Sequence, residues 1–141
     1  MSTQHVAPLP VCKAILLCDR VVESNANKLS LNGVFSNFIV GSELNASQAE
    51  VFCQITDAQG RYSVVVEVHD LTSNQVIARS KPTDVDIPDP LFNMNIIVAI
   101  TPLRFHNAGL HDVVVFANGE EIDRKQFGVA IAEDETHVDT I

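Results

Sequence analysis

Apolar and polar residues alternate with a period of two along most of this chain, and no stretch repeats at helical spacing. The cleanest case is Tyr62 to His69, where Tyr62, Val64, Val66 and Val68 share one face and Ser63, Glu67 and His69 share the other. Such a pattern predicts a strand with one face on a core and one toward water. Phe92, Met94, Ile96, Val98 and Ile100 form a second inward set, with Asn93, Asn95 and Thr101 outward. Val51–Thr56 reads as a strand joined to the one at Tyr62 by Asp57-Ala58-Gln59-Gly60, and Lys28–Phe35 and Val76–Arg79 add two more. Val11–Val22 is apolar almost throughout, interrupted by Lys13 and Asp19, as expected of a strand covered on both sides.

Turn signals punctuate these runs. Asn118-Gly119, between Val113–Ala117 and Glu120-Glu121-Ile122, is the strongest of them, because a two-residue type I′ turn needs φ > 0 at both positions. It also raises a parity problem. With Val113 and Val115 inward, Ile122 falls inward as well, yet Phe127, Val129 and Ile131 sit at odd offsets from it. One extra residue is needed, and a bulge or small turn within Asp123-Arg124-Lys125-Gln126 would supply it. Lys81–Pro90 carries three prolines and is excluded from the middle of a sheet, which makes it a crossover or a rim loop. Gly41–Glu50 is polar and reads as a loop with at most one helical turn. Seven to eight short strands with turns between them predict an all-β chain, a two-layer antiparallel β-sandwich over residues 11–132. Residues 1–10 form an expected flexible arm and 133–141 an expected acidic, disordered tail.

Phe105-x-x-Ala108-Gly109-x-His111-x-Val113-x-Val115, followed by Asn118-Gly119, resembles the closing segment of immunoglobulin-like domains, where a Gly-x-Tyr corner precedes an inward strand. Here His111 stands where Tyr is usual. Together with Cys18-Asp19-Arg20-Val21-Val22 and Lys28–Phe35, the domain is similar to a family of short uncharacterised bacterial proteins. That resemblance implies an immunoglobulin-like fold and no activity.

At 141 residues the chain fits one domain that buries roughly two thirds of its unfolded surface. A formal charge of −9, with no run of Lys or Arg, argues against nucleic acid or an anionic membrane as partner. Cys12, Cys18 and Cys53 are odd in number, and Cys12 and Cys18 lie about 20 Å apart if extended on one face of a strand, too far for a bridge. Free buried thiols follow. Residues 1–10 lack a basic region followed by an apolar core, and no apolar run approaches the ~18 residues of a membrane span, so a cytoplasmic location is expected. Without a secretory route, Asn45-Ala46-Ser47 carries no glycosylation.

Candidate chemistry is sparse. His69-Asp70 and His111-Asp112 invite a metal or catalytic reading, but neighbours on a strand project to opposite faces and do not converge on one ion. Asp84, Asp86 and Asp89 could surround a hard cation, although Pro88 and Asp89 break the helix-loop-helix calcium pattern. No nucleophile motif and no glycine-rich phosphate loop is present, which predicts no enzyme, no catalytic residues, no resident metal and no cofactor. The end of the tail, Asp139-Thr140-Ile141, faintly resembles a carboxylate ligand of strand-adding domains. The sharper signal is apolar residues on faces expected to be wet: Val65, Ile97, Val114, Phe116 and Ala130. They point to a non-enzymatic protein-protein interaction or accessory module of a bacterial multi-protein system, self-associating as a homo-oligomer. The alternative is a sandwich that binds a small ligand or divalent cation.

Overall fold

Alternation becomes pleated strand nearly everywhere it is strong. The computed structural model describes residues 8–26 and 28–132; the expected tail and residues 1–7 of the expected arm lie outside the described residues. Those described form twelve strands and no helix. They are β1 (Val11–Glu23), β2 (Leu29–Phe35), β3 (Phe38–Val40), β4 (Asn45–Ala46), β5 (Glu50–Thr56), β6 (Gly60–Asp70), β7 (Gln75–Arg79), β8 (Thr83–Ile87), β9 (Met94–Ala99), β10 (Leu103–Arg104), β11 (Gly109–Ala117) and β12 (Glu120–Ile131). The count exceeds the expected seven to eight because β3, β4 and β10 are two or three residues long and β8, although it alternates, lies among prolines.

A four-stranded antiparallel sheet runs in the order β2-β1-β5-β9. A six-stranded mixed sheet runs β3-β12-β11-β6-β7, with β8 also pairing β6, so that β7 and β8 succeed one another along one edge. A two-stranded piece joins β10 to β4. The inward residues of the two larger sheets share one core, with Ile15, Leu17, Val51, Cys53, Ile55, Ile96 and Val98 from one and Val64, Val66, Val68, Val113, Val115, Phe127 and Val129 from the other. β-branched residues dominate it, as pleated surfaces favour. Phe38, Phe105 and Phe127 fill one end, their ring centroids 5.1 to 6.2 Å apart.

The hairpin joining β11 to β12 turns at Asn118 and Gly119, with φ of 51° and 82°, the type I′ signature. The extra residue is Ile122: Phe116 pairs Glu121 and Val115 pairs Asp123. The bulge therefore falls one residue before the predicted Asp123–Gln126 segment, next to the turn, and it lets Phe127 and Val129 face inward. Lys125, opposite Val113, reaches its Nζ to the Ile15 carbonyl at 3.1 Å. The proline-rich segment is neither crossover nor loop throughout, because Thr83–Ile87 pairs β6 as an edge strand, a position that tolerates flanking prolines. Phe92 precedes β9 and is exposed rather than inward. The expected loop at Gly41–Glu50 contains β4 and no helical turn.

A bulge between Cys12 and Ala14 makes Lys13 the extra residue of β1. It shifts the alternation, so that Cys12 pairs the inward Ile55 while Cys18 pairs Glu50 on the outward face. The two thiols thus do not share a face, and all three cysteines are free. Beyond Cys18, β1 leaves β5 and pairs only β2, forming a two-stranded ribbon. Before β1, Pro10 is buried and the Tyr62 hydroxyl donates to the Pro8 carbonyl at 2.7 Å.

Candidate protein interface

The two outward sheet faces differ in what covers them. On the six-stranded sheet, Asp112, Val114 and Phe116 of β11 lie beside His69, Glu67 and Val65 of β6 and beside Gln126, Arg124 and Glu121 of β12. Phe116 and Val65 are direct partners and both half-buried. Val114, although outward, is 0% exposed; Arg124 and Glu67 are its cross-strand neighbours, and the Arg124–Asp112 ion pair reaches onto its own strand. Arg124 reaches Asp112 at 2.9 Å and Glu121 at 2.6 Å. Arg79 reaches Glu67 at 2.7 Å, and His69 Nε2 lies 2.8 Å from the other Glu67 oxygen. Burial pushes the Glu67 carboxyl up, and the hydrogen bonds from His69 and Arg79 more than offset it, leaving it below its ordinary value. This face is roofed by its own charges.

Among the described residues no such roof covers the four-stranded sheet. Leu16 of β1 pairs Phe52 of β5, which pairs Ile97 of β9, giving an outward apolar row across three strands. The next row holds Val34, Cys18, Glu50 and Ala99, and the one on the other side holds Ala14, Gln54 and Asn95, the last two hydrogen-bonded at 3.0 Å. Val34 is 54% exposed and Ile97 37%, with Leu16 and Phe52 half-buried. Among the described residues, the charged groups of this face are Lys13 and Arg20 beyond its outer rows and Glu50 in the row beside the apolar one, its carboxylate accepting the Val21 amide at 2.7 Å.

The five residues singled out from the sequence therefore fall on two sheets. Val65, Val114 and Phe116 come together on the six-stranded sheet, Ala130 lies beside Ile39 toward its far edge, and Ile97 stands on the four-stranded sheet. Leu16, Phe52 and Val34 escaped notice because the near-continuous apolar run of β1 reads as covered on both sides, and because Phe52 is the lone large outward residue of its strand.

The two His-Asp pairs split by face. His69 and Asp112 point outward into the ion-pair roof, while Asp70 and His111 are cross-strand partners on the inner face. Asp70 accepts the amides of Thr72 and Ser73 and the Asn107 side chain, at 2.8, 3.3 and 3.0 Å. Burial would raise its carboxyl, but those bonds outweigh it and hold the group below its ordinary value. His111 stacks on Phe127 and meets Phe105 edge-on; its Nδ1 lies 3.0 Å from the Gly109 carbonyl, which assigns the proton there and leaves Nε2 buried without a partner. Asp84 and Asp86 lie on β8, opposite Ser63 and Arg61, and Asp89 is spent on the Leu91 amide. Among the described residues no group of three or more His, Cys, Asp or Glu is placed to hold a metal ion. A cleft of about 530 Å³ opens between the edges of β9 and β7–β8, lined by Val66, Val68, Ala78, Lys81 and Ile100 among others. Burial pushes the Cys53 thiol up to about 12, with Cys12 contributing, and pushes Cys12 up to about 11, helped by Asp123.

No helix among the described residues is long and apolar enough to cross a membrane. No curated protein matches the chain. Among solved structures, the Pseudomonas fluorescens alkylpurine DNA glycosylase AlkC, bound to DNA containing an abasic site analog, is similar at 13% identity and a TM-score of 0.44. That match covers 82% of this chain but 30% of that one, and at this level it carries no argument. Residues 13–130, by contrast, match a family of unknown function, DUF6941, and over that span the chain belongs to it.

Proposed function

We propose that the protein is a non-enzymatic interaction module, an immunoglobulin-like sandwich that presents the outward face of its four-stranded sheet to another protein. The observation that carries this is the Leu16–Phe52–Ile97 row with Val34 beside it, an apolar surface that, among the described residues, lacks the ion-pair roof of the opposite sheet. Single exposed apolar residues are ordinary, whereas a connected set on one flat face is what association surfaces use. The low thiolate character of Cys12 and Cys53 and the structural use of Asp70, Asp89 and His111 leave these side chains occupied with packing and turns rather than chemistry. An accessory role in a bacterial multi-protein system, in the cytoplasm, follows from the same reading.

Phe52→Glu tests it. The half-buried ring lies on the sheet surface, so circular dichroism should keep the wild-type β spectrum. Sedimentation of the chain, alone and with any protein that co-purifies in stoichiometric amount, should lose about 1.5–3 kcal/mol of association, tenfold or more in affinity. A folded variant whose assemblies match wild type removes the reading.

A further inference from the structure

We propose that β9 is an open sheet edge to which an extended, acidic segment of a partner protein adds as a further strand, a site separate from the outward face of the four-stranded sheet. β9 has β5 on one side and, among the described residues, no strand on the other. The Ile100 amide donates to the Ala49 carbonyl, so by alternation the N–H and C=O groups of Met94, Ile96 and Val98 point to β5 and those of Asn95, Ile97 and Ala99 point to the open side. Folded proteins blunt such an edge with charge, proline or a bulge, and the other longer edges here carry these. β2 holds Gly33 at φ 68°, β7 ends on Arg79 with Lys81 and Pro82 behind it, and β8 presents Asp84 and Asp86. β9, six residues without a charge, a proline or a left-handed residue, has none of them.

What lies beside the edge says what the added strand carries. The cleft of about 530 Å³ runs along the second half of β9, between it and the β7–β8 edge, with Val66, Val68, Ala78, Val98 and Ile100 in its lining. Residues of an added strand opposite Val98 and Ile100 turn into that cleft, whose apolar lining takes apolar side chains at every second position. The charged side chains of the lining are Arg79 and Lys81, with no Asp or Glu among them, in a chain of formal charge −9. Arg79 is held by Glu67 at 2.7 Å, whereas Lys81 is exposed and makes no ion pair among the described residues. A carboxylate on the added strand supplies that pair, and a basic segment is repelled. Main-chain bonds to Asn95, Ile97 and Ala99 hold the strand, while the cleft and Lys81 select it.

The experiment screens the full chain against arrayed synthetic peptides of about nine residues in which Val, Ile, Leu or Phe alternates with Thr, with Asp or Lys substituted at each position in turn. Fluorescence anisotropy then measures the best binder at up to about 1 mM of the chain. Expected is binding by Asp-containing peptides, about tenfold weaker in their Lys counterparts, with the preference reversed in Lys81→Glu. N-methylation along the bound peptide should cost about threefold or more at every second residue and little between, because only alternate amides face β9. Ala99→Pro removes one open N–H at an exposed edge position and should weaken binding about tenfold, while Phe52→Glu leaves it unchanged. Circular dichroism checks the fold, and the N-methyl series with Lys81→Glu decides alone should Ala99→Pro unfold. No binder, N-methyl losses without the two-residue period, or binding indifferent to Lys81→Glu or to a folded Ala99→Pro overturns the strand addition. Peptides lost in Phe52→Glu yet kept in Ala99→Pro lie on the outward face, which overturns the edge site and leaves the interaction module standing.

Discussion

Asn118 and Gly119 carry the hairpin because both adopt φ > 0, and no atom lies within 4 Å of where a Cβ on Gly119 would sit. Any cost of substitution there is conformational rather than steric. Gly119→Val should lose roughly 1–2 kcal/mol, several degrees in a thermal melt, whereas Gly119→Asn should lose much less; equal losses would mean that packing, not φ, sets the turn. Asp70 acts through charge. Its folded value lies below the unfolded value of about 3.9, so its contribution is complete above about pH 4 and is lost as pH falls through the folded value. Asp70→Asn should therefore be about 1–3 kcal/mol less stable than wild type in urea at pH 7, the gap closing toward pH 2. A gap independent of pH would assign Asp70 a purely geometric role. Val114 marks how far a single residue can be read: alternation places it on the outward face, yet it is fully buried beside Glu67 of β6, a strand that the sequence does not align with β11.

At the scale of elements, the strand pattern was legible because Tyr62–His69 and Val51–Thr56 each bury one pleated face, so that composition and period agree. β3, β4 and β10 were not legible, being two or three residues long and held by partners far along the chain. β8 hid within prolines that an edge strand accepts. The bulge in β12 was legible as a need, though not in position. Deleting Ile122 removes the extra residue and keeps Phe127 and Val129 inward and Arg124 outward, at a cost of about 1–2 kcal/mol for the lost side chain. Deleting Lys125 forces a worse choice, either turning Phe127 and Val129 to solvent or turning Arg124 onto the core. Urea melts should find the first variant folded and the second unfolded; equal stability would place the bulge elsewhere.

At the scale of the molecule, the sequence showed outward apolar residues on several strands but not which strands share a sheet. Ile97 and Val114 stand on opposite sides of the core, and Leu16 and Phe52 become neighbours of Ile97 only through the order β1-β5-β9. The burial of the cysteines has a use of its own. A maleimide reacts with a thiolate, and Cys53 is wholly enclosed at the centre of the four-stranded sheet with its thiol pushed up to about 12, so alkylation waits on an opening of the protein. Cys18 is just as enclosed but sits where β1 departs from β5 into the ribbon with β2. The rates of labelling at these two sulfurs are a ruler built into the chain, one reading the opening of the whole sheet and the other the lifting of its corner.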